Sequence, residues 1–133
     1  MKKSALIIDD DPDEREIARY LLRQEGFEVS EAADGREGVA AAIALKPDLV
    51  LTDLMMPVMH GYEVCERIRA EPSLKHTRIL VVSSKSFDND LRLALKAGAD
   101  AYLVKPYHKI DFINKVKELS GGGPAGPGSE PTT

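Results

Sequence analysis

Acids, hydroxyls and a single lysine stand where short apolar runs end. Asp9, Asp10 and Asp11 follow Ala5 to Ile8, Asp53 follows Leu49 to Leu51 across Thr52, Ser83 and Ser84 follow Ile79 to Val82, and Lys105, ahead of Pro106, follows Ala101 to Val104. Taken singly, each residue has a plainer role. Asp10 or Asp11 would suit the positive end of a following helix, the serines suit turns, and a lysine before proline suits an exposed loop. Asp53 is harder to explain this way, because the end of an apolar run is a costly place for an unpaired charge.

Gathered at one edge, these carboxylates would repel, and they need either raised pKa values or a shared cation. An all-oxygen set suits Mg²⁺, which takes one or two carboxylates, keeps several waters and leaves positions for phosphate oxygens. Phosphoryl transfer onto a carboxylate requires a nucleophilic acid, a divalent ion, a cation and a hydroxyl. Asp53, Asp9 with Asp10, Lys105 and Ser83 supply those parts. The loop after the first apolar run is acidic rather than glycine-rich, which disfavours free nucleotide binding.

Such a set works only if the elements bring it together. The pattern predicts strands over Ser4 to Ile8, Phe27 to Glu31, Asp48 to Asp53, Arg78 to Val82 and Ala101 to Val104. Between them it predicts helices from Pro12 to about Glu25, Asp34 to Leu45, about Gly61 to Ala70, Phe87 to Ala97 and about His108 to Leu119. Apolar residues recur at helical spacing at Ile17, Tyr20 and Leu21, at Tyr62, Cys65 and Ile68, and at Ile110, Ile113 and Val116. Pro12 suits the first turn of its helix and Gly26 the stop. Alternating strands and helices predict an α/β fold, a parallel sheet covered by helices on both faces. In such sheets ligands bind beyond the carboxyl ends of the strands, where all the residues above would stand.

Composition narrows the class. The 133 residues carry a net charge of −4, yet residues 9 to 16 hold six acids and one arginine. That segment alone sums to −5 and leaves +1 for the rest. The charge excess therefore sits at the candidate site. Without a Lys/Arg cluster, direct nucleic-acid binding is disfavoured. No apolar run reaches the roughly 18 to 20 residues of a membrane span, and Ala5 to Ile8 is too short for a signal-peptide core. A lone Cys65 makes neither a disulfide nor a zinc site, which fits a cytoplasmic protein, and it is expected in the core. The body is expected over residues 1–119. Residues 120–133 hold five of the ten glycines and three of the eight prolines, the composition of a flexible tail. The end of the chain is expected to be natural, the alternative being a chain cut from something longer.

Four segments, LIIDDDP (6–12), DLVLTDLMMPVMHGYE (48–63), ILVVSS (79–84) and GADAYLVKPY (98–107), make the sequence resemble the receiver domain of bacterial response regulators. The resemblance spans nearly the whole body and implies a flavodoxin-like, doubly wound five-stranded sheet of order 2-1-3-4-5. It implies Asp53 as phosphoacceptor, Asp10 as a direct Mg²⁺ ligand, Asp9 acting largely through water, and the Met55 backbone carbonyl as a further ligand, with Mn²⁺ able to substitute. Ser83, beside Ser84, matches the hydroxyl that meets the phosphoryl group, Tyr102 the aromatic switch and Lys105 the phosphate-pairing lysine. Lys105-Pro106 matches the family's cis peptide. Met55 and Lys85 match positions that influence phosphoryl lifetime.

One residue departs from the pattern: His60 stands where the family commonly has Asp, which weakens the start of the third helix. The implied partners are a sensor histidine kinase or a histidine phosphotransfer protein as donor, and a downstream protein on the surface of the fourth helix, fifth strand and fifth helix. Neither turnover of an external substrate nor membrane insertion is expected. Two other readings use the same residues. One is a receiver that docks without being phosphorylated. The other is a small haloacid-dehalogenase-like phosphatase using the D-x-D spacing of Asp9 and Asp11, although Asp13 stands where that family has Thr or Val.

Overall fold

The computed structural model describes residues 2–120, so the expected tail over 120–133 lies, Ser120 apart, outside the described residues. Strands β1 (Ser4–Ile8), β2 (Glu28–Ala32), β3 (Leu49–Thr52), β4 (Arg78–Ser83) and β5 (Ala101–Val104) alternate with helices α1 (Pro12–Gln24), α2 (Gly35–Leu45), α3 (Gly61–Arg69), α4 (Asp88–Ala97) and α5 (Lys109–Leu119). All the strand pairs are parallel and the order is β2-β1-β3-β4-β5. The fold is the doubly wound sheet that the alternation implies.

The apolar runs are continuous because the central strands are covered on both faces. Along β1, Leu6 and Ile8 point to one core with Val50, Val64, Ile68, Ile79 and Val81. Ala5 and Ile7 point to the other, with Leu22, Leu51, Leu80, Phe112 and Val116. Helices α2, α3 and α4 thus close one face and α1 and α5 the other. Each fully buried Leu, Ile or Phe contributes about 1.5–3 kcal/mol by leaving water. This two-sided burial holds the strand ends at one edge.

Local chemistry sets the helix ends. Asp11 caps α1 by accepting the amide of Asp13 at 2.9 Å, with Pro12 in the first turn. Asp34 caps α2 through the amide of Glu37 at 2.8 Å. His60 precedes α3 without any side-chain cap. Helix α4 stops at Gly98, whose φ of +119° is open to glycine and strained for other residues.

Several element ends shift by one residue from the sequence expectation, β3 covering Leu49–Thr52 rather than Asp48 to Asp53, and three differences bear on packing. Strand β2 begins one residue later, at Glu28, because Phe27 joins the core as its amide bonds back to the Leu22 carbonyl. A 3₁₀ turn, Pro72–Leu74, precedes β4 and buries Leu74. The buried stripes of α1 and α5 are also rotated from the expected ones. Helix α1 buries Ala18, Leu21 and Leu22 and exposes Ile17 and Tyr20, while α5 buries Phe112 and Val116 and exposes Ile110. Ala18, Leu21 and Leu22 of α1 join the same core as Phe112 and Val116 of α5.

Candidate functional site

The ladder of backbone hydrogen bonds runs one rung past the strands and thereby plants the site. Asp9 donates its amide to the Ala32 carbonyl (3.2 Å), Asp53 to Ile8 (3.2 Å) and Lys105 to Ser83 (2.8 Å). Each residue is anchored by its main chain at the carboxyl edge, and only the side chains remain to be set. Lys105 reaches across from β5. Its Nζ lies 3.0 Å from Asp53 Oδ2, 3.2 Å from Asp9 Oδ2 and 3.5 Å from Glu14 Oε1.

The two aspartates hold their other oxygen locally. Asp53 Oδ1 accepts the amides of Leu54 (2.6 Å) and Met55 (3.2 Å), and Asp9 Oδ1 accepts the amide of Asp11 (3.0 Å). Asp9 is 7% exposed, and burial pushes its carboxyl above the ordinary carboxylate range, opposed by the Asp11 amide and by Lys105 and reinforced by the Asp53 charge. Burial alone would lower the Lys105 ammonium, but hydrogen bonds and charge from Asp53 and Asp9 outweigh it and raise the pKa. Three carboxylates around one ammonium leave negative charge in excess at a half-closed edge.

Behind the lysine lies a cavity of about 20 Å³, bounded among others by Thr52, Val82, Tyr107 and Phe112. That is room for about one water molecule. Ser83, at the end of β4, is fully buried, and its Oγ accepts the amide of Lys85 at 3.2 Å. Tyr102 comes up from β5 and donates its hydroxyl to the Lys85 carbonyl at 2.8 Å, tying β5 to the loop that follows Ser83. Ser84 is exposed and faces a depression shared with Glu14, Ile17, Lys105, Pro106 and Tyr107. The Lys105-Pro106 peptide is cis.

On the other side, the loop from Asp53 to His60 is folded tightly. Gly61 donates its amide to the Leu54 carbonyl at 3.0 Å, and a Cβ on Gly61 would collide with the Asp53 carbonyl. Val58 turns the loop with a φ of +74°, bracketed by the Met59 amide on the Pro57 carbonyl at 2.8 Å. A β-branched residue there is strained. Met55 and Val58 are exposed beside the site.

Not every expected acid joins the cluster. Asp10 is exposed, and among the described residues no group of three or more His, Cys, Asp and Glu side chains is set to hold a metal. Asp11 is engaged at the start of α1, where its Oδ1 accepts the Asp13 amide. His60 is exposed and Cys65 is buried in the core, where burial pushes its thiol up to about 12.

The sequence reading missed three residues. Glu14 supplies the third carboxylate to Lys105. Arg15 donates to the Asp9 carbonyl at 2.6 Å and pairs with Glu31, which also takes Arg19. Tyr107 stacks on Phe112 with ring centroids 5.1 Å apart. The available signal for the first two was their place in the opening turn of the helix that follows the acids.

The donor set suits a hard divalent cation. Every side-chain ligand atom is oxygen, and a buried aspartate with a raised pKa gains from a second cation beside the single ammonium. Two carboxylates and a backbone carbonyl are enough for Mg²⁺, which completes its shell with water.

Comparison with known proteins agrees with the fold. The family model described as response regulator receiver domain matches residues 5–117. The DNA-binding response regulator MtrA of Mycolicibacterium smegmatis is 37% identical over 117 residues, covering 88% of this chain and 50% of MtrA. The chain thus spans about half the length of the curated relatives it matches. Among solved structures, the chemotaxis protein CheY4 of Vibrio cholerae superposes with a TM-score of 0.84 at 29% identity, covering 90% of this chain and 99% of CheY4. The receiver domain of the sensor histidine kinase PA1611 of Pseudomonas aeruginosa, solved with magnesium coordinated in its active-site cleft, gives 0.83 at 26% identity, covering 91% and 99%.

Proposed function

The chain belongs to the response regulator receiver domain family, and from that premise we propose that it is a phosphorylation switch of two-component signalling with Asp53 as phosphoacceptor. The observation that carries the assignment is the contact of Lys105 with Asp53 at 3.0 Å, beside buried Asp9 and at the same edge as Ser83. Asp53 is the carboxylate that has a cation on one oxygen and two main-chain amides fixing the other.

The donor is a phosphohistidine on a sensor histidine kinase or a histidine phosphotransfer protein. Asp53 Oδ2 attacks phosphorus in line, the O–P bond forms as the P–N bond breaks, and the imidazole leaves. Leu54 and Met55 orient the nucleophile through Oδ1. Lys105 pairs with the developing charge on the phosphoryl oxygens, and the Ser83 hydroxyl donates to one of them. Asp9, Asp10, Asp53 and the Met55 carbonyl would hold Mg²⁺, with Mn²⁺ as a substitute, and the bound ion supplies charge neutralisation during transfer. The chain promotes its own phosphorylation and loss of phosphate without turning over an external substrate.

Movement of Ser83 is passed outward because Tyr102 bonds the Lys85 carbonyl two residues on. The receiving surface is α4, β5 and α5, where Phe87, Leu91, Leu95 and Val104 are exposed. Its partner is a protein rather than nucleic acid, and its place is the cytoplasm. Among the described residues no helix is long and apolar enough to cross a membrane.

Incubation with acetyl phosphate and Mg²⁺ tests the assignment. Rapid intact-mass analysis should find one phosphoryl group, labile to hydroxylamine as an acyl phosphate is, and lost in Asp53→Asn and in excess EDTA. Undiminished labelling of Asp53→Asn would sink it.

A further inference from the structure

Two neighbouring residues of β2 grip Asp9, one on each side of its Cα. The Asp9 amide donates to the Ala32 carbonyl at 3.2 Å, and the Asp9 carbonyl accepts Arg15 Nη1 at 2.6 Å. Arg15 donates its Nε to Glu31 Oε1 at 3.2 Å, while the other Glu31 oxygen takes Arg19. The half-buried Arg15 side chain thus reaches back from α1 and bridges the end of β2 to one carbonyl in the turn between β1 and α1.

That carbonyl belongs to the peptide joining Asp9 to Asp10. A peptide unit is planar, so holding its oxygen fixes the plane and the point from which Asp10 leaves the chain. The Asp9 side chain is already set, with one oxygen on the Asp11 amide and the other on Lys105. Asp10 is exposed, and its direction depends on the backbone that carries it. Mg²⁺ demands near-ideal ligand geometry, so a loosened peptide here would cost affinity.

We propose that Arg15 is a positioning residue for the divalent-ion site, which holds the Asp9–Asp10 peptide against Glu31 and so presets the Asp10 carboxylate for Mg²⁺. The proposal rests on the reading of Asp9, Asp10 and Asp53 as the metal-binding acids and adds to it the residue that orients them. Charge alone predicts the opposite sign. A guanidinium beside these acids repels a cation, so its removal would tighten Mg²⁺ binding. A purely structural tie between α1 and β2 predicts a third result, lower stability with unchanged Mg²⁺ affinity.

Mg²⁺ titration of isotope-labelled protein, followed by two-dimensional amide NMR without any phosphodonor, separates these outcomes. The series is the unsubstituted protein, Arg15→Gln, Arg15→Lys and Arg19→Gln, with circular dichroism melts reporting fold and stability. Arg15→Gln should weaken Mg²⁺ binding about tenfold, the lower end of the cost of removing a group that orients metal ligands. Arg15→Lys keeps the charge but lacks the planar fork that spans the Asp9 carbonyl and Glu31, and it should fall between. Arg19→Gln removes an ion pair to the same Glu31 without touching Asp9, and its Mg²⁺ affinity should stay unchanged. Unchanged or tighter binding in Arg15→Gln overturns the proposal, and so does an equal loss in Arg19→Gln, which would mark a general loosening of α1. If Arg15→Gln does not fold, Arg15→Lys decides by the same criterion, unchanged affinity overturning the proposal. Absence of Mg²⁺-dependent shifts at Asp9, Asp10 and Asp53 in the unsubstituted protein would overturn the metal-site reading itself, and the role of Arg15 with it.

Discussion

Gly61 lies against the main chain of Asp53. Its amide bonds the Leu54 carbonyl at 3.0 Å, and there is no space for a side chain between its Cα and the Asp53 carbonyl. The start of α3 is thus pressed onto the residue that carries the proposed chemistry. The Gly61 position links a helix end to the orientation of a carboxylate eight residues earlier.

Gly61→Ala follows directly. The obstructing atoms are backbone and cannot swing aside, so overpacking should cost about 1–3 kcal/mol. Urea denaturation should show the lower midpoint, and acetyl phosphate labelling should slow because Asp53 is displaced. An unchanged midpoint would mean that the α3 end yields freely.

At His60 the expectation is a gain. Helix α3 begins without a side-chain cap, and Asp accepts the free amides of a first turn where His does not. His60→Asp should add about 1 kcal/mol in the same denaturation assay. A loss would show that the exposed imidazole makes a contact worth more than the cap.

Val58 carries strain that a smaller residue would relieve. Its φ of +74° is unfavourable for a β-branched side chain, and the side chain is exposed, so little packing is forfeited. Val58→Gly should raise stability by about 1 kcal/mol, the relief exceeding the added flexibility of the unfolded chain. Equal or lower stability would place the strain elsewhere.

Asp9 should give a pH signature. Burial raises its folded-state pKa, so the folded protein holds that proton more tightly than the unfolded chain does. Stability from this group is therefore complete below the unfolded pKa of about 3.9 and is lost as pH rises through the folded value. In metal-free buffer Asp9→Asn should be more stable than the unsubstituted protein at pH 7.5, and the advantage should shrink towards about pH 4. Denaturation midpoints across that range, with EDTA present, read the slope directly, and an advantage that grows on acidification contradicts it. Saturating Mg²⁺ should narrow the gap at neutral pH, because the ion offsets the buried charge only where the carboxylate is present.

Much of the site was legible in the order of residues. Apolar runs of four or five bounded by acids, serines or Lys105 can form only short buried strands in a chain this rich in intervening helices, and a parallel sheet brings all their carboxyl ends to one edge. Asp9, Asp53, Ser83 and Lys105 therefore had to be neighbours in outline, and the Gly98 stop and Pro12 start were local matters of backbone geometry. Tertiary structure alone decided the pairings. Lys105 and Asp9 are 96 residues apart, and nothing local specifies that the ammonium meets Asp9, Asp53 and Glu14 while Asp10 stays exposed. The same holds for the rotation of α1 and α5. Spacing marks several apolar stripes on each helix, and which one is buried depends on how closely the helix can approach the sheet. Ala18, Leu21 and Leu22 of α1 share one core with Phe112 and Val116 of α5, and Glu14, on the first turn of α1, stands 3.5 Å from the lysine.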